Sequence, residues 1–260
     1  MERVTFRNSR NLSLVGHYYD ARSGAAIVFS HGFASDKSSD GRFDRMAEAL
    51  ESDGYRVLTF DFSGCGESDD DVLDLSHQID DLKCAISFVQ SKGAESIGLH
   101  GHSLGGLVCL KTSSPGVRAM VLTGALTDSM KYDWTSIYSA GQLHKLEVDG
   151  YLLTTDRSGR QRKIGRDILH EFDRIDQKEL LQSVKCPVLL IHGNDPNDWE
   201  ELELLKRSRK GIHMLPDQSR LEVIDGANHG FRGHYDHVIA LTQEWYRRFI
   251  VKEEARKAKC

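Results

Sequence analysis

Apolar positions in this chain fall into short unbroken runs, separated by longer stretches in which they recur every three or four residues. Six such runs, at 25–30, 56–60, 96–100, 117–122, 188–191 and 221–224, are each followed by a turn residue or a polar break. Runs of that length that are apolar throughout predict strands buried on both faces, which is the pattern of a parallel sheet. Helical spacing predicts helices over 43–52, ended near Gly54, over 75–89, over 200–210, and a closing helix over 234–250. Two alternating segments, 3–6 and 12–18, flank Asn8-Ser9-Arg10-Asn11 and predict an antiparallel hairpin at the start. Strand and helix then alternate, so the expected class is α/β, with eight strands, mostly parallel, and helices on both faces.

One interval breaks the alternation. About sixty residues lie between the strand ending near Gly124 and the strand after Pro187, too many for a connection of ~2–6 residues. Within it, Asp149-Gly150-Tyr151-Leu152-Leu153-Thr154 and Gln161-Arg162-Lys163-Ile164 are placed to pair across Asp156-Arg157-Ser158-Gly159-Arg160. The interval predicts a small cap over the carboxyl edge of the sheet. The expected division is a core of 1–125 and 186–260 with a cap insertion at 126–185.

Composition narrows the function classes. A chain of 260 residues with 39% hydrophobic and 28% charged residues carries a net charge of -5, and no basic stripe with interleaved aromatics is present. Nucleic acid is therefore not an expected partner. No apolar run reaches the ~20 residues of a membrane span, and Met1-Glu2-Arg3-Val4-Thr5-Phe6 does not have the apolar stretch of a signal peptide. Cys65, Cys84, Cys109, Cys186 and Cys260 are odd in number and scattered, with no C-x-x-C pair. Neither a disulfide framework nor a zinc site is expected, and the reading is a cytoplasmic protein.

The chemistry is concentrated at Gly101-His102-Ser103-Leu104-Gly105, directly after the apolar run at 96–100. Strand, sharp turn and helix start with a serine at the apex make the G-x-S-x-G nucleophile elbow. A Cβ at Gly101 or Gly105 would collide with the neighbouring chain, and the new helix turns its free N–H groups toward the serine. A serine hydroxyl needs a base, and the base needs a group to orient it. Of twelve histidines, His229 in Gly226-Ala227-Asn228-His229-Gly230-Phe231 follows the last strand, on the sheet edge that carries Ser103. The acid is expected in Asn194-Asp195-Pro196-Asn197-Asp198-Trp199. Asp198 is preferred, although it could also cap the helix that follows; Asp195, held extended by Pro196, competes with it, and Asp128 is a third option. The expected oxyanion donors are the backbone N–H of Leu104 and that of Phe33 in His31-Gly32-Phe33.

Taken together, His31-Gly32-Phe33, Asp61-Phe62-Ser63-Gly64-Cys65-Gly66-Glu67-Ser68, the elbow at Ser103, His192-Gly193 and His229-Gly230-Phe231 resemble the α/β-hydrolase superfamily over most of the chain. The His-Gly-Phe opening and small cap look like carboxylesterases of the cinnamoyl or feruloyl kind, with monoacylglycerol lipases and acylaminoacyl-peptidase domains also similar. Two departures stand out. The common Arg-Gly-x-Gly-x-Ser turn has Ser63 in place of its arginine, and Pro196 occupies the acid position of the common His-Gly-x-x-Asp spacing, which two inserted residues would restore at Asp198.

The resemblance implies an α/β-hydrolase fold and a serine carboxylic ester hydrolase using a Ser103-His229-Asp198 triad, acting on small to medium esters, aromatic acyl groups included. It implies no cofactor and no metal. The partners are a small-molecule ester and, at most, a second copy in a homodimer. The same triad could cleave amides or peptides or transfer acyl groups. A non-catalytic ligand-binding member and a metal-dependent hydrolase are the competing classes. His100 and His102 form an H-x-H pair with no third metal ligand in view. Arg157, Arg160, Arg162, Lys163 and Arg166 make the cap basic, which a substrate carboxylate could exploit. Tyr132, Trp134, Tyr138 and Tyr151 are expected to pack under the cap or to face an aromatic acyl group.

Overall fold

The computed structural model describes residues 1–112, 114–156 and 159–250; Arg157 and Ser158 of the expected cap turn, and Cys260, lie outside them. Its strands are β1 (Glu2–Arg7), β2 (Ser13–Tyr19), β3 (Ala25–Ser30), β4 (Arg56–Phe60), β5 (Val72–Leu73), β6 (Ser96–His102), β7 (Val117–Thr123), β8 (Tyr151–Thr155), β9 (Gln161–Gly165), β10 (Val188–Gly193) and β11 (Arg220–Ile224). Its helices are α1 (Arg42–Ser52), α2 (Leu75–Ser91), α3 (Leu104–Lys111), α4 (Ala140–Asp149), α5 (Arg166–Arg174), α6 (Gln177–Ser183), α7 (Trp199–Gly211) and α8 (Tyr235–Phe249).

Eight strands form one sheet in the order β1-β2-β4-β3-β6-β7-β10-β11. The first three are linked by antiparallel pairs, β1 to β2 and β2 to β4, and every later pair is parallel. Strands β3 and β4 are buried at every position because helices cover both faces. On one face α1 and α8 pack through Phe43, Met46, Leu50, Val238, Trp245 and Tyr246 onto Ile27, Val57, Val121 and Ile191. On the other, Leu82, Ile86, Leu107, Leu181 and Leu204 of α2, α3, α6 and α7 meet Val28, Leu58, Leu99 and Leu190. The mixed α/β class and the strand count match the sequence reading.

The long interval after β7 has structure of its own. β8 pairs antiparallel with β9, from Tyr151 opposite Gly165 to Thr155 opposite Gln161. The two-residue β5, unanticipated in the sequence, joins β9 in parallel and completes a small three-stranded sheet. Helix α5 turns Ile168, Leu169 and Phe172 inward. Helix α6 packs in the same cluster as α3 and α7, and Gln177 Nε2 donates to Arg207 O of α7 at 2.9 Å. The turn with Ser63 in place of the common arginine has a guanidinium from elsewhere. Arg10, in the β1–β2 turn, donates to Ser63 Oγ at 3.0 Å, to Asp81 at 2.8 Å and to Asp80 at 2.7 Å.

The elbow is wedged against the end of β3. A Cβ on Gly105 would lie 2.0 Å from Ser30 O and 2.6 Å from His31 O, and one on Gly101 would lie 2.7 Å from Gly105 O. Backbone stands on both sides of these contacts, so no rotamer change relieves them. Gly105→Ala is therefore expected to cost about 3 kcal/mol through overpacking, read as a lower urea midpoint. An unchanged midpoint would mean that α3 does not press on β3 in this way.

Candidate active site

Ser103 lies between β6 and α3 with φ 55 and ψ -123. A serine pays ~1–3 kcal/mol to adopt that backbone, and such strain persists where the surrounding structure forces it. The force is visible: Ser103 N donates to Thr123 O at 2.9 Å, and all of α3 except Lys111 is buried. Leu104 opens α3, so its amide is one of the first-turn donors with no intrahelical acceptor. The turn after β3 passes beside it, because a Cβ on Gly32 would sit 3.4 Å from Ser103 Cβ. Gly32 O accepts from Ser35 N at 3.2 Å, which closes a turn at 32–35 beside the elbow.

His229 arrives from the loop after β11. Its ring lies so close to Gly124 that a Cβ there would be 2.7 Å from Nδ1, and its centroid is 4.9 Å from that of His102. Ser103 and His229 are thus anchored to consecutive residues at the end of β7, Thr123 and Gly124. The serine, the histidine and the Phe33 turn share the carboxyl edge of the parallel strands, where open α/β sheets form their sites.

The carboxylate in contact with the His229 ring is not one of those expected from the sequence. Glu201, in the first turn of α7, places Oε2 2.7 Å from His229 Nδ1. Asp198 does not reach the ring. Its Oδ1 accepts from Glu201 N at 3.1 Å as the N-cap of α7, and its Oδ2 accepts from His229 N at 2.7 Å. Both carboxylate oxygens are occupied by backbone amides, so Asp198 holds the two loops together and leaves the imidazole to Glu201. Asp195 Oδ1 accepts from Asn197 N at 2.9 Å and Asp128 Oδ2 from Lys210 Nζ at 3.1 Å; neither bonds the imidazole.

Glu201 lies beyond the loop in which the sequence places the acid, inside the first turn of α7. Glu201, Leu204, Leu205 and Ser208 occupy one helical stripe, and all are buried. A glutamate one turn past an aspartate N-cap, on the apolar face of its helix, was the available signal.

Glu201 is fully buried and its oxygens are shared out. Oε1 accepts from Gly193 N at 2.9 Å and lies 2.8 Å from His192 Nδ1, while Oε2 serves His229. Burial alone would raise its pKa, but the hydrogen bonds and charges of His192 and His229 outweigh that and hold it below the ordinary carboxylate range. For His229, burial works against the charged form. The hydrogen bond and charge of Glu201, helped by Glu200 and Asp198, prevail, and the imidazole pKa lies above its usual 6.5. His102 is driven the other way, first by burial and then by the charges of His229 and Arg42, so it is neutral beside the His229 ring.

Residues of the interval after β7 touch both the Phe33 turn and the start of α7. Phe33 meets Phe172 of α5 edge to face, with centroids 6.1 Å apart. Phe172 also meets Tyr132 at 5.2 Å and Trp134 at 5.6 Å, and Trp134 stacks on Tyr138 at 6.1 Å. Tyr132 Oη donates to Glu200 Oε1 at 2.7 Å, next to Glu201. Arg162 donates to Ala34 O, one residue past Phe33, and pairs with Asp156 at 2.9 Å. Among the described residues, Arg160 bonds Asp70 and Ser68 O, Arg166 approaches Asp167 at 3.9 Å, and Lys163 lies over the Tyr151 ring at 5.8 Å. His100 packs between Phe29 and Phe43, its pKa pushed down to about 3 by burial. Among the described residues no cluster of His, Cys, Asp and Glu is arranged to hold a metal, and no helix is long and apolar enough to cross a membrane.

Known proteins resemble this chain at several levels. The lysophosphatidylserine lipase ABHD12 of Danio rerio is 28% identical over 172 residues, 65% of this chain and 42% of that protein, so the chain spans less than half of that relative. The crystal structure of the alpha/beta hydrolase GrgF from Penicillium sp. sh18 superposes with a TM-score of 0.76 at 18% identity, covering 95% of this chain and 98% of that one. Est1E from Butyrivibrio proteoclasticus, solved with ferulic acid bound, superposes with a TM-score of 0.71 at 16% identity, covering 94% and 98%. These structural likenesses show the fold. The sequence of residues 27–240 matches the alpha/beta hydrolase family, and the chain belongs to that family.

Proposed function

We propose that this protein is a serine carboxylic ester hydrolase in which Ser103, His229 and Glu201 act in series through an acyl-enzyme. The observation that carries the reading is the 2.7 Å contact between buried Glu201 Oε2 and His229 Nδ1, at the sheet edge that holds a strained serine. Glu201 accepts a hydrogen bond from Nδ1–H, which keeps the ring proton on Nδ1 and leaves Nε2 with a free lone pair for the serine hydroxyl. Ser103 Oγ attacks the acyl carbon as Nε2 takes its proton. The amides of Phe33 and Leu104 receive the oxyanion, each worth about 3–4 kcal/mol in comparable sites. Collapse expels the alcohol with the proton from His229, and water repeats the sequence on the acyl-serine.

Substrate class follows from the cap at residues 126–185. Half-buried Phe33, Tyr132 and Trp134, backed by Phe172, supply flat apolar surface next to the proposed oxyanion turn. That suits a small to medium acyl group and favours an aromatic one. Arg160 and Arg162 are engaged by Asp70 and Asp156, which leaves these two guanidinium groups committed within the protein rather than to a substrate carboxylate. Among the described residues four cysteines are free thiols, three of them buried, which fits a reducing compartment such as the cytoplasm.

A fluorophosphonate probe is expected to label the wild-type protein at Ser103, and a p-nitrophenyl ester series to show turnover of short and aromatic acyl groups. Because His229 must be neutral to act and its pKa is raised, kcat/KM is expected to climb with pH through a midpoint above 6.5. An unlabelled protein would sink the serine mechanism. Labelling with turnover of amides alone would replace the esterase reading by an amidase.

A further inference from the structure

Glu201 bridges two histidines, and the mechanism above uses only one. His192 is completely buried at the end of β10, with Nδ1 2.8 Å from Glu201 Oε1 and Nε2 2.9 Å from Ser208 Oγ. Ser208 Oγ lies 3.1 Å from Thr127 Oγ1. Proton positions along this line follow from one end. An ionised carboxylate only accepts, so His192 Nδ1 donates to it. In the neutral ring Nε2 must then accept, from Ser208 Oγ–H, and Thr127 Oγ1–H donates to Ser208 in turn. Every donor in the row points toward Glu201, from the side opposite His229.

We propose that His192 is a positioning residue for the catalytic base: through Nδ1–H it aims the Glu201 carboxylate at His229 and takes up part of its charge. This inference rests on the reading of Ser103, His229 and Glu201 given above. With Gly193 N and His192 both on Oε1, the carboxylate cannot rotate about its last bond without losing two hydrogen bonds, and Oε2 stays on His229. Charge drawn toward His192 is charge that does not hold the His229 imidazolium, which keeps the base from becoming too firmly protonated. The other groups facing His229 are Glu200 and Asp198 from the start of α7, neutral His102 from β6, and Arg42 of α1, which donates to Gly230 O at 3.0 Å. None of them bonds His192.

The test compares His192→Leu, which removes the donor, with His192→Asn, whose amide N–H can reach Glu201 from the position of Nδ1. The His229 titration midpoint is followed by NMR of the imidazole and by the pH dependence of kcat/KM. His192→Leu is expected to move the midpoint up by about one pH unit, the scale of one hydrogen bond to a charged group, and to lower kcat about tenfold with KM nearly unchanged. His192→Asn is expected to restore the wild-type midpoint. A folded His192→Leu protein with the wild-type midpoint, or an Asn variant shifted as far as the Leu variant, overturns the proposal. If His192→Leu does not fold, His192→Gln, whose amide extends toward Ser208, replaces it with the same expected shift. A wild-type protein that turns over no ester fails the esterase reading, and the NMR comparison then tests the His192–Glu201–His229 link by itself.

Discussion

Ser103→Ala is expected to lower ester turnover by about a million-fold, the scale seen when the nucleophile of a unit that acts together is lost, and to abolish fluorophosphonate labelling. Its melting temperature should stay close to wild type, because alanine inherits the same φ of 55 and the same burden. Ser103→Gly separates the two contributions. It should be as inactive, yet more stable by about 1 kcal/mol, since glycine occupies that region without a Cβ penalty. A Ser103→Gly protein that melts below wild type would mean that the elbow backbone is not strained, and the strain would then say nothing about function. Residual turnover of Ser103→Ala near the wild-type rate would place the nucleophile elsewhere. The outcome expected here, activity gained at the expense of stability at one backbone position, is the usual exchange at a preorganised site.

Much of the architecture was legible because buried strands and amphipathic helices leave local patterns. The run at 25–30 is β3, residue for residue, and the helix predicted over 43–52 is α1 extended by one residue. The hairpin at 151–155 and 161–165 could be read from its two flanks. What escaped was non-local. β5 is Val72–Leu73, too short to carry a period, and it exists as a strand only because β9 arrives alongside it. The proposed acid, Glu201, is hidden in the sequence for a different reason. Distance along the chain favoured Asp198, but helix α7 begins at Trp199, so Asp198 is consumed as its cap and the inward direction belongs to a residue one turn later. Motif spacing measures sequence separation, whereas reach depends on where the helix starts. In the sequence His192 shows only a His-Gly pair, since its partners Glu201 and Ser208 lie on α7 and become neighbours only after β10 and α7 pack.

The contest between the two acids yields the other large effect. Glu201→Gln is expected to reduce kcat about 10⁴-fold, as an acid-to-amide change does when it forces the wrong histidine tautomer. The site dictates which way the glutamine amide turns. Gly193 N and His192 Nδ1 both donate at Oε1, so the remaining oxygen belongs there and the NH₂ group faces His229. It would donate to Nδ1, push the ring proton to Nε2 and leave nothing to accept the serine proton. The pKa of His229 should also fall, since burial persists while the carboxylate that opposed it is gone. The acid limb of any residual activity then moves to lower pH. Asp198→Asn should behave otherwise. It keeps one acceptor for two backbone amides, so the loss is about 1 kcal/mol of stability, the weight of a helix cap, with kcat within about tenfold of wild type. If the ranking is reversed, with Asp198→Asn the more damaging in kcat and Glu201→Gln nearly silent, then Asp198 swings onto the imidazole in the working enzyme and Glu201 is a buried strut. Urea midpoints and pH–rate profiles on the two variants decide this, because a strut and an orienting acid weigh on opposite measurements.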